Sequence, residues 1–242
     1  MIAVMEYIES IDVKNPGSRI ELGLEQSMDP SGYFTVVPDT ATIQTLKFVS
    51  EDPSIAAVDD EGRIVGLKRG VTKIVAKSTD GTNISSDPVE VEVTALLGKT
   101  TWTAKAEYSH SSYPPSRLLD YSNSTFWSNP WSGVGLKVPC WVIIDMKKVT
   151  AFDKIGLVQG SYREAKDVDI YISKSNADDI SYDDPSFEKI GSVEVIATAS
   201  GESVLDFYPA ELKEARYIKL DFVSSRSGRY LSLAEVNVYY QK

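Results

Sequence analysis

The segment DYSNSTFW, residues 120–127, places oxygen-bearing side chains close enough together to hold a hard cation. Asp120 supplies a carboxylate, Ser122 and Thr125 supply hydroxyl groups and carbonyls, and Trp127 closes the segment. Calcium takes about six to eight oxygen ligands, commonly carboxylates and carbonyls together. The segment therefore offers one side of a calcium site. The alternative is a polar turn in which Asp120 accepts hydrogen bonds from backbone N–H groups.

The other side of such a site would come from SLAEVNVYY, residues 232–240, near the end of the sequence. Glu235 and the carbonyl of Ala234 could close it if the last strand lies beside the segment that follows Asp120. A site of this kind would tie together the two ends of a domain, which is where β-sandwiches fray.

Short apolar or alternating runs, rich in Val, Ile, Tyr and Thr, predict the strands that position these groups. Gly, Pro, Asn, Asp and Ser separate the runs, and long amphipathic helix patterns are absent. We therefore predict an all-β fold built from sandwiches. The predicted strands are RIELGL, RIVGL, TKIVAKS, VEVEVT, WVIIDM, KIGLVQG, DVDIYIS, YIKLDFV and EVNVYY.

A domain boundary is predicted at ALLGKT, residues 95–100, because this segment follows a finished strand and contains Gly98. We expect two domains of ordinary size, residues 1–96 and 97–242.

The first domain resembles the bacterial immunoglobulin-like group 2 (Big2) family through FVSEDPSIAAVDDEGRIVGLKRGVTKIVAKSTDG, residues 48–81. Phe48 stands where that family has a tryptophan and keeps a large core aromatic side chain. The resemblance implies an immunoglobulin-like sandwich that serves as a spacer or adhesive module on exported proteins. Its acidic clusters, residues 51–52 and 59–61, are interpreted as solvated turn charges, with calcium binding as the alternative.

The second domain resembles the discoidin family, also called coagulation factor 5/8 type C or family 32 carbohydrate-binding module. The motifs RLLDYSNSTFW, WVIIDM, KIGLV, DVDIYIS, ARYIKLDF and LAEVNVYY follow the family's order over nearly all of residues 100–242. The resemblance implies a jelly-roll-like antiparallel β-sandwich that binds glycans.

The resemblance also implies a structural calcium. Tyr121 stands where the family usually has glycine, and a positive φ would be unusual for so bulky a residue. The residues that match the family's ligands are Asp120, Thr125 and Glu235 together with carbonyls of Ser122, Ala234 and, near the start of the motif, Arg117.

Sugar binding needs a flat aromatic face for the apolar side of the ring and planar polar groups for its hydroxyls. Trp131 follows Pro130 in a Gly/Ser-rich loop and is the best platform, whereas Trp127 lies inside the motif and is expected in the core. The candidate ligand contacts in the loops are Tyr108, His110, Asn129, Trp131, Tyr162, Arg163, Arg226, Arg229 and Tyr230.

The composition of the chain bears on two questions: which classes of partner the protein binds and where it is located. The net charge is −10 and no basic face is evident, which argues against nucleic acid. No apolar run approaches the length of a membrane span. The start is too short and too acidic for a signal peptide. The resemblance to modules of exported proteins implies a place at the cell surface, in the periplasm or in the medium, in which case the leader lies outside this sequence.

No catalytic motif is found, because the sequence lacks a nucleophile elbow, a phosphate loop and a zinc signature. We therefore expect a non-catalytic extracellular protein that binds a glycan or polysaccharide through the second domain. Two alternatives stay open: an adhesion module for a cell-surface protein or membrane surface, and a binding fragment of a larger carbohydrate-active enzyme.

Overall fold

The computed structural model describes residues 5–133, 138–159, 164–195 and 203–241. The chain forms two compact units, Met1–Gly98 and Lys99–Lys242. The predicted all-β class is confirmed, because the described residues form strands joined by loops and two short 3₁₀ turns. No helix among the described residues is long and apolar enough to cross a bilayer.

The first unit contains three small sheets. Strands β5, β8, β9 and β2 form one sheet in that order, with β2 parallel to β9, while β1 pairs with β4 and β7 lies between β3 and β6. A 3₁₀ turn spans Pro30–Tyr33. The strands are β1 Ser10–Val13, β2 Arg19–Leu24, β3 Ser27–Met28, β4 Phe34–Val37, β5 Leu46–Ser50, β6 Ala56–Val58, β7 Ile64–Gly66, β8 Gly70–Ser78 and β9 Val89–Leu97.

Alternation along β8 explains how the first unit builds its core. Thr72, Ile74 and Ala76 are buried while Lys73 and Lys77 are exposed, as expected when successive side chains point to opposite faces. This strand therefore covers the core on one face and meets solvent on the other.

Two further predictions for the first unit concern Phe48 and the acidic turns. Phe48 is buried and packs against Phe34 with ring centroids 5.7 Å apart, which confirms its core role. Asp52 accepts a hydrogen bond from the backbone N–H of Ser54 at 3.0 Å, and Asp59 accepts one from Glu61 at 3.0 Å. Both carboxylates thus stabilise their own turns.

The second unit contains the larger sandwich. A five-stranded antiparallel sheet has the order β10-β12-β17-β14-β15, a second layer includes β16-β13-β19, and β11 pairs with β18. A 3₁₀ turn spans Pro115–Leu119. The strands are β10 Thr103–Ala106, β11 Trp127–Ser128, β12 Cys140–Phe152, β13 Lys154–Gln159, β14 Asp167–Ser173, β15 Glu188–Glu194, β16 Ser203–Phe207, β17 Lys213–Phe222, β18 Ser232–Leu233 and β19 Glu235–Tyr239.

Close contacts across the second unit show how its layers meet. Trp127 on β11 is fully buried, as predicted, and its ring centroid lies 5.3 Å from that of Phe222 on β17. A Cβ at Gly191 on β15 would come within 2.5 Å of the Phe207 ring on β16, so this glycine admits the aromatic side chain. The layers therefore share one densely packed core.

Candidate ligand-binding site

Two segments of the second unit that lie far apart in the sequence meet at Ser122. Its backbone N–H donates to Asp120 Oδ1 and to Glu235 Oε1, each at 3.0 Å. The hydroxyl of Thr125 donates to Asp120 Oδ2 at 2.6 Å and to the Ser122 carbonyl at 3.2 Å. The prediction that β19 returns beside residues 120–125, with Glu235 near Asp120, is therefore confirmed.

Local structure explains why these groups face one another. The 3₁₀ turn ends at Leu119 and Asp120 caps it, and the next residue, Tyr121, adopts a left-handed conformation with φ of 61°. Trp127 pairs with Leu233 in the β11–β18 ladder, just before β19 begins at Glu235. The turn reverses the chain after Asp120, and the β11–β18 ladder brings the start of β19 next to it. The carboxylates of Asp120 and Glu235 therefore both accept a hydrogen bond from the Ser122 backbone N–H.

Tyr121 occupies the position where glycine was expected, and its backbone does have the positive φ that disfavours a bulky residue. Two contacts compensate for this conformation. The Tyr121 hydroxyl accepts a hydrogen bond from the backbone N–H of Lys99 at 2.6 Å, and the ring centroid lies 4.9 Å from Lys99 Nζ. Burial raises the pKa of the Tyr121 hydroxyl, which therefore stays neutral.

The expected calcium position lies beside a buried lysine. Lys99 Nζ forms an ion pair with Glu235 Oε2, and both side chains are buried. A divalent cation on the same carboxylate would lie beside a buried positive charge, which repels it.

Arg117 and Ala234 were expected to contribute backbone carbonyls to the calcium site, which stays a prediction, while other groups of these two residues make contacts within the second unit. The guanidinium of Arg117 lies over the Tyr113 ring, with Cζ 5.1 Å from the centroid. The backbone N–H of Ala234 donates to the Val158 carbonyl at 2.7 Å. Burial lowers the pKa of Lys99, and the carboxylate of Asp120 opposes that shift.

A cavity of about 370 Å³, here called the Trp131 pocket, opens at the end of the sandwich formed by the β11 and β18 segments. Trp131 is 42% exposed and Tyr230 is 37% exposed, so both aromatic side chains present surface to a ligand. Its lining residues are Phe126, Ser128, Trp131, Glu164, Tyr230, Leu231 and Ser232.

An aromatic cluster supports the indole of Trp131. The rings of His110 and Tyr113 lie 4.6 Å and 5.0 Å from that of Trp131 between centroids, and the indole Nε1–H donates to Ser128 Oγ at 3.0 Å. Tyr113 in turn stacks on Phe126 at 4.5 Å with an angle of 13° between the rings. These contacts fix the indole on one side while leaving part of it exposed.

Asn129 positions the loop that carries Tyr230. Its side chain is fully buried, with Oδ1 accepting from Leu231 N–H at 2.8 Å and Nδ2 donating to the Arg229 carbonyl at 2.8 Å. Both ends of the amide are therefore engaged in the loop. Asn129 therefore positions this loop, and the direct ligand contact expected from the sequence stays a prediction.

Glu164 and Arg226 hold the same loop from the other side. Glu164 Oε2 accepts from the Ser227 N–H at 3.1 Å, and the backbone N–H of Arg226 donates to the Glu164 carbonyl at 2.9 Å. The Arg226 guanidinium donates to the Val195 carbonyl, which directs it along the framework. Glu164 thus reaches the pocket while tying the loop down.

The structure brings together several of the predicted ligand contacts. His110, Trp131 and Tyr230 lie at the pocket or against its wall, and the exposed Arg229 belongs to the same loop as Tyr230. Tyr108 is half-buried and does not line the pocket. Tyr162 and Arg163 lie outside the described residues.

Several pocket residues were missed by the sequence analysis. Phe126 could have been found, because it precedes the buried Trp127 and alternation turns it to the opposite face. Glu164 gave no local signal. The other lining residues not predicted are Ser128, Leu231 and Ser232.

Comparisons with known proteins agree on the second unit. The family described as F5/8 type C domain matches residues 100–236. The family 32 carbohydrate-binding module from C. perfringens NanJ, in complex with galactose, is 17% identical with a TM-score of 0.51 and covers 60% of this chain and 98% of that chain. CpGH89CBM32-5 from Clostridium perfringens, in complex with GalNAc-beta-1,3-galactose, is 18% identical with a TM-score of 0.50, covering 60% and 99%. These structures show the fold.

Relatives in sequence are longer proteins. The A type blood N-acetyl-alpha-D-galactosamine deacetylase of Flavonifractor plautii is 28% identical over 123 residues, which is 46% of this chain and 16% of that protein. An uncharacterised protein of Clostridium acetobutylicum is 41% identical over 51 residues, or 21% of this chain and 13% of that protein. The chain therefore spans less than a fifth of the length of these curated relatives.

Proposed function

Because the chain belongs to the F5/8 type C domain family through residues 100–236, we propose that it binds a glycan in the Trp131 pocket and catalyses no reaction on it. The observation that carries this proposal is a half-exposed indole, held by its neighbours, in a pocket that also contains hydroxyl and carboxylate groups. The volume of the Trp131 pocket, about 370 Å³, lies within the range of about 300–1,000 Å³ for small-molecule sites.

The chemistry of the lining suits a sugar ring. The exposed surface of Trp131 would pack against the apolar C–H face of a pyranose, which is removed from water on binding. Ser232 and Glu164 supply oxygens that accept hydrogen bonds from sugar hydroxyls, and the Ser232 hydroxyl also donates. Tyr230 provides a second aromatic wall, so the ring would lie between two flat surfaces.

The single carboxylate in the described lining of the pocket favours a binding role over hydrolysis. Glycosidases use two carboxyl groups about 5–9.5 Å apart across the scissile bond. Glu164 is the one carboxylate among the described lining residues, and it already accepts a hydrogen bond from Ser227 N–H. Such a pocket can hold a sugar but lacks, within its described lining, the second carboxylate.

The first unit is proposed to act as an immunoglobulin-like spacer that carries the glycan-binding unit. We infer a place outside the cell, because free and polymeric glycans are encountered there. The chain matches only a small fraction of the length of its relatives, which supports the proposal that it is a module of a longer carbohydrate-active protein.

A glycan array tests the proposed function. The fluorescently labelled chain should bind a restricted set of glycans saturably, and excess unlabelled chain should compete with it, whereas heat-unfolded chain should not bind. Absence of binding to every glycan, combined with saturable binding to a cell-surface protein, would overturn the proposal in favour of the adhesion alternative.

A further inference from the structure

Lys99 is a buried lysine whose partners come from two distant segments of the second unit. Its Nζ forms the ion pair with Glu235 and donates to Asn237 Oδ1 at 2.8 Å and to the Val236 carbonyl at 3.2 Å, all on β19. The Leu118 carbonyl, in the 3₁₀ turn before Asp120, lies 3.5 Å away. These are the two segments that a structural calcium was expected to bridge.

The hydrogen-bond geometry around Lys99 Nζ matches an ammonium group, although burial lowers the pKa of Lys99 to about 7. An ammonium group has three N–H donors and no acceptor, and four oxygen atoms face Lys99 Nζ. A neutral amine could donate to only two of them. Glu235 is only 1% exposed, and a buried carboxylate requires a counter-charge with satisfied hydrogen bonds.

Tyr121 completes the enclosure of the ammonium. Its ring lies over Lys99 Nζ at 4.9 Å, within the distance at which the negative face of an aromatic ring attracts a cation. Its hydroxyl also holds the backbone of Lys99. The replacement of glycine by tyrosine at a left-handed position is therefore explained by the presence of the lysine.

We propose that the Lys99 ammonium takes the place of the structural divalent cation, tying the turn Pro115–Leu119 to β19 and making the fold of the second unit independent of metal. The cation is thus part of the covalent chain. This inference concerns stability and does not depend on the proposed glycan binding.

Thermal unfolding of the full chain tests the proposal. The melting temperature should be the same in excess EDTA and in millimolar calcium chloride. Lys99→Met, which keeps the apolar stem but removes the charge, should melt about 10 °C lower because it leaves Glu235 buried without a counter-charge. In Lys99→Ala, which vacates the place of the ammonium, calcium should raise the melting temperature.

A matched control is Lys174→Met, which breaks an exposed ion pair with Glu214 and should leave the melting temperature unchanged. A wild-type chain stabilised by calcium or destabilised by EDTA would overturn the proposal, as would a Lys99→Met variant as stable as the wild type. If calcium does not stabilise Lys99→Ala, the proposal that the Lys99 ammonium takes the place of a calcium ion is refuted. If the variants do not fold, equilibrium dialysis of the wild type against radioactive calcium decides, because stoichiometric binding would refute the proposal and absence of binding would support it.

Discussion

Replacing Trp131 with alanine should weaken glycan binding by removing the platform of the pocket. A tryptophan side chain exposes about 250 Å² when free, so 42% exposure leaves about 100 Å² of Trp131 in contact with water. A sugar ring that covers half of this surface and loses a similar area of its own removes about 100 Å² from water. At about 25 cal/mol per Å² the loss is at most about 2.5 kcal/mol.

We therefore expect the dissociation constant of Trp131→Ala to rise roughly 10- to 70-fold, since each 1.4 kcal/mol is about tenfold. The measurement is isothermal titration calorimetry with the strongest glycan found on the array. The matched control is Tyr208→Ala, which removes an aromatic side chain that is 58% exposed but does not line the pocket. A folded Trp131→Ala variant that binds the glycan as tightly as the control would refute the reasoning.

Three further predictions concern the stability and burial of groups within the first or the second unit. Asn129→Ala removes two buried hydrogen bonds to the Tyr230 loop and should cost about 2 kcal/mol in urea unfolding; an unchanged midpoint would contradict the positioning role. Hydrogen bonds from the Thr82 side chain and the Ile8 backbone hold the pKa of Asp80 at about 2, below its ordinary value, so its contribution to stability is present above about pH 4 and is lost as the pH falls through 2. Asp80→Asn should flatten that part of the acid unfolding curve, and an unaltered curve would exclude this origin. Burial raises the pKa of Cys140 to about 12, so its thiol should react with a disulfide reagent only after unfolding, and rapid reaction in the folded chain would contradict its burial.

Strand positions were predictable because alternation of side chains is a local property of the sequence. RIELGL matches β2 residue for residue, and DVDIYIS matches β14 in the same way. The approach of Asp120 to Glu235 was predictable only through the order of motifs, since no local pattern links residues so far apart. The family resemblance was also informative at Tyr121, because the glycine that the family usually has there is typical of the positive φ that the backbone adopts.

Lys99 could not be assigned from the sequence because its partners are distant. It lies next to Gly98 in a segment that was interpreted as the domain boundary, and nothing in its neighbours indicates burial. Its ion-pair partner is 136 residues away. The oxygen donors that predict the calcium site lie within the motif, whereas Lys99, which we propose takes the place of the ion, lies outside it.

The buried Lys99 side chain has a practical consequence for choosing the ends of a recombinant fragment of the second unit. The segment recognised as the family domain runs from residue 100 to residue 236, and it omits both Lys99 and Asn237. A recombinant fragment cut at those limits would keep the Glu235 carboxylate but lose the Lys99 ammonium that pairs with it. A low melting temperature of such a fragment would then result from the choice of its ends and would not be a property of the domain. Starting the fragment one residue earlier and extending it beyond Asn237 keeps both groups.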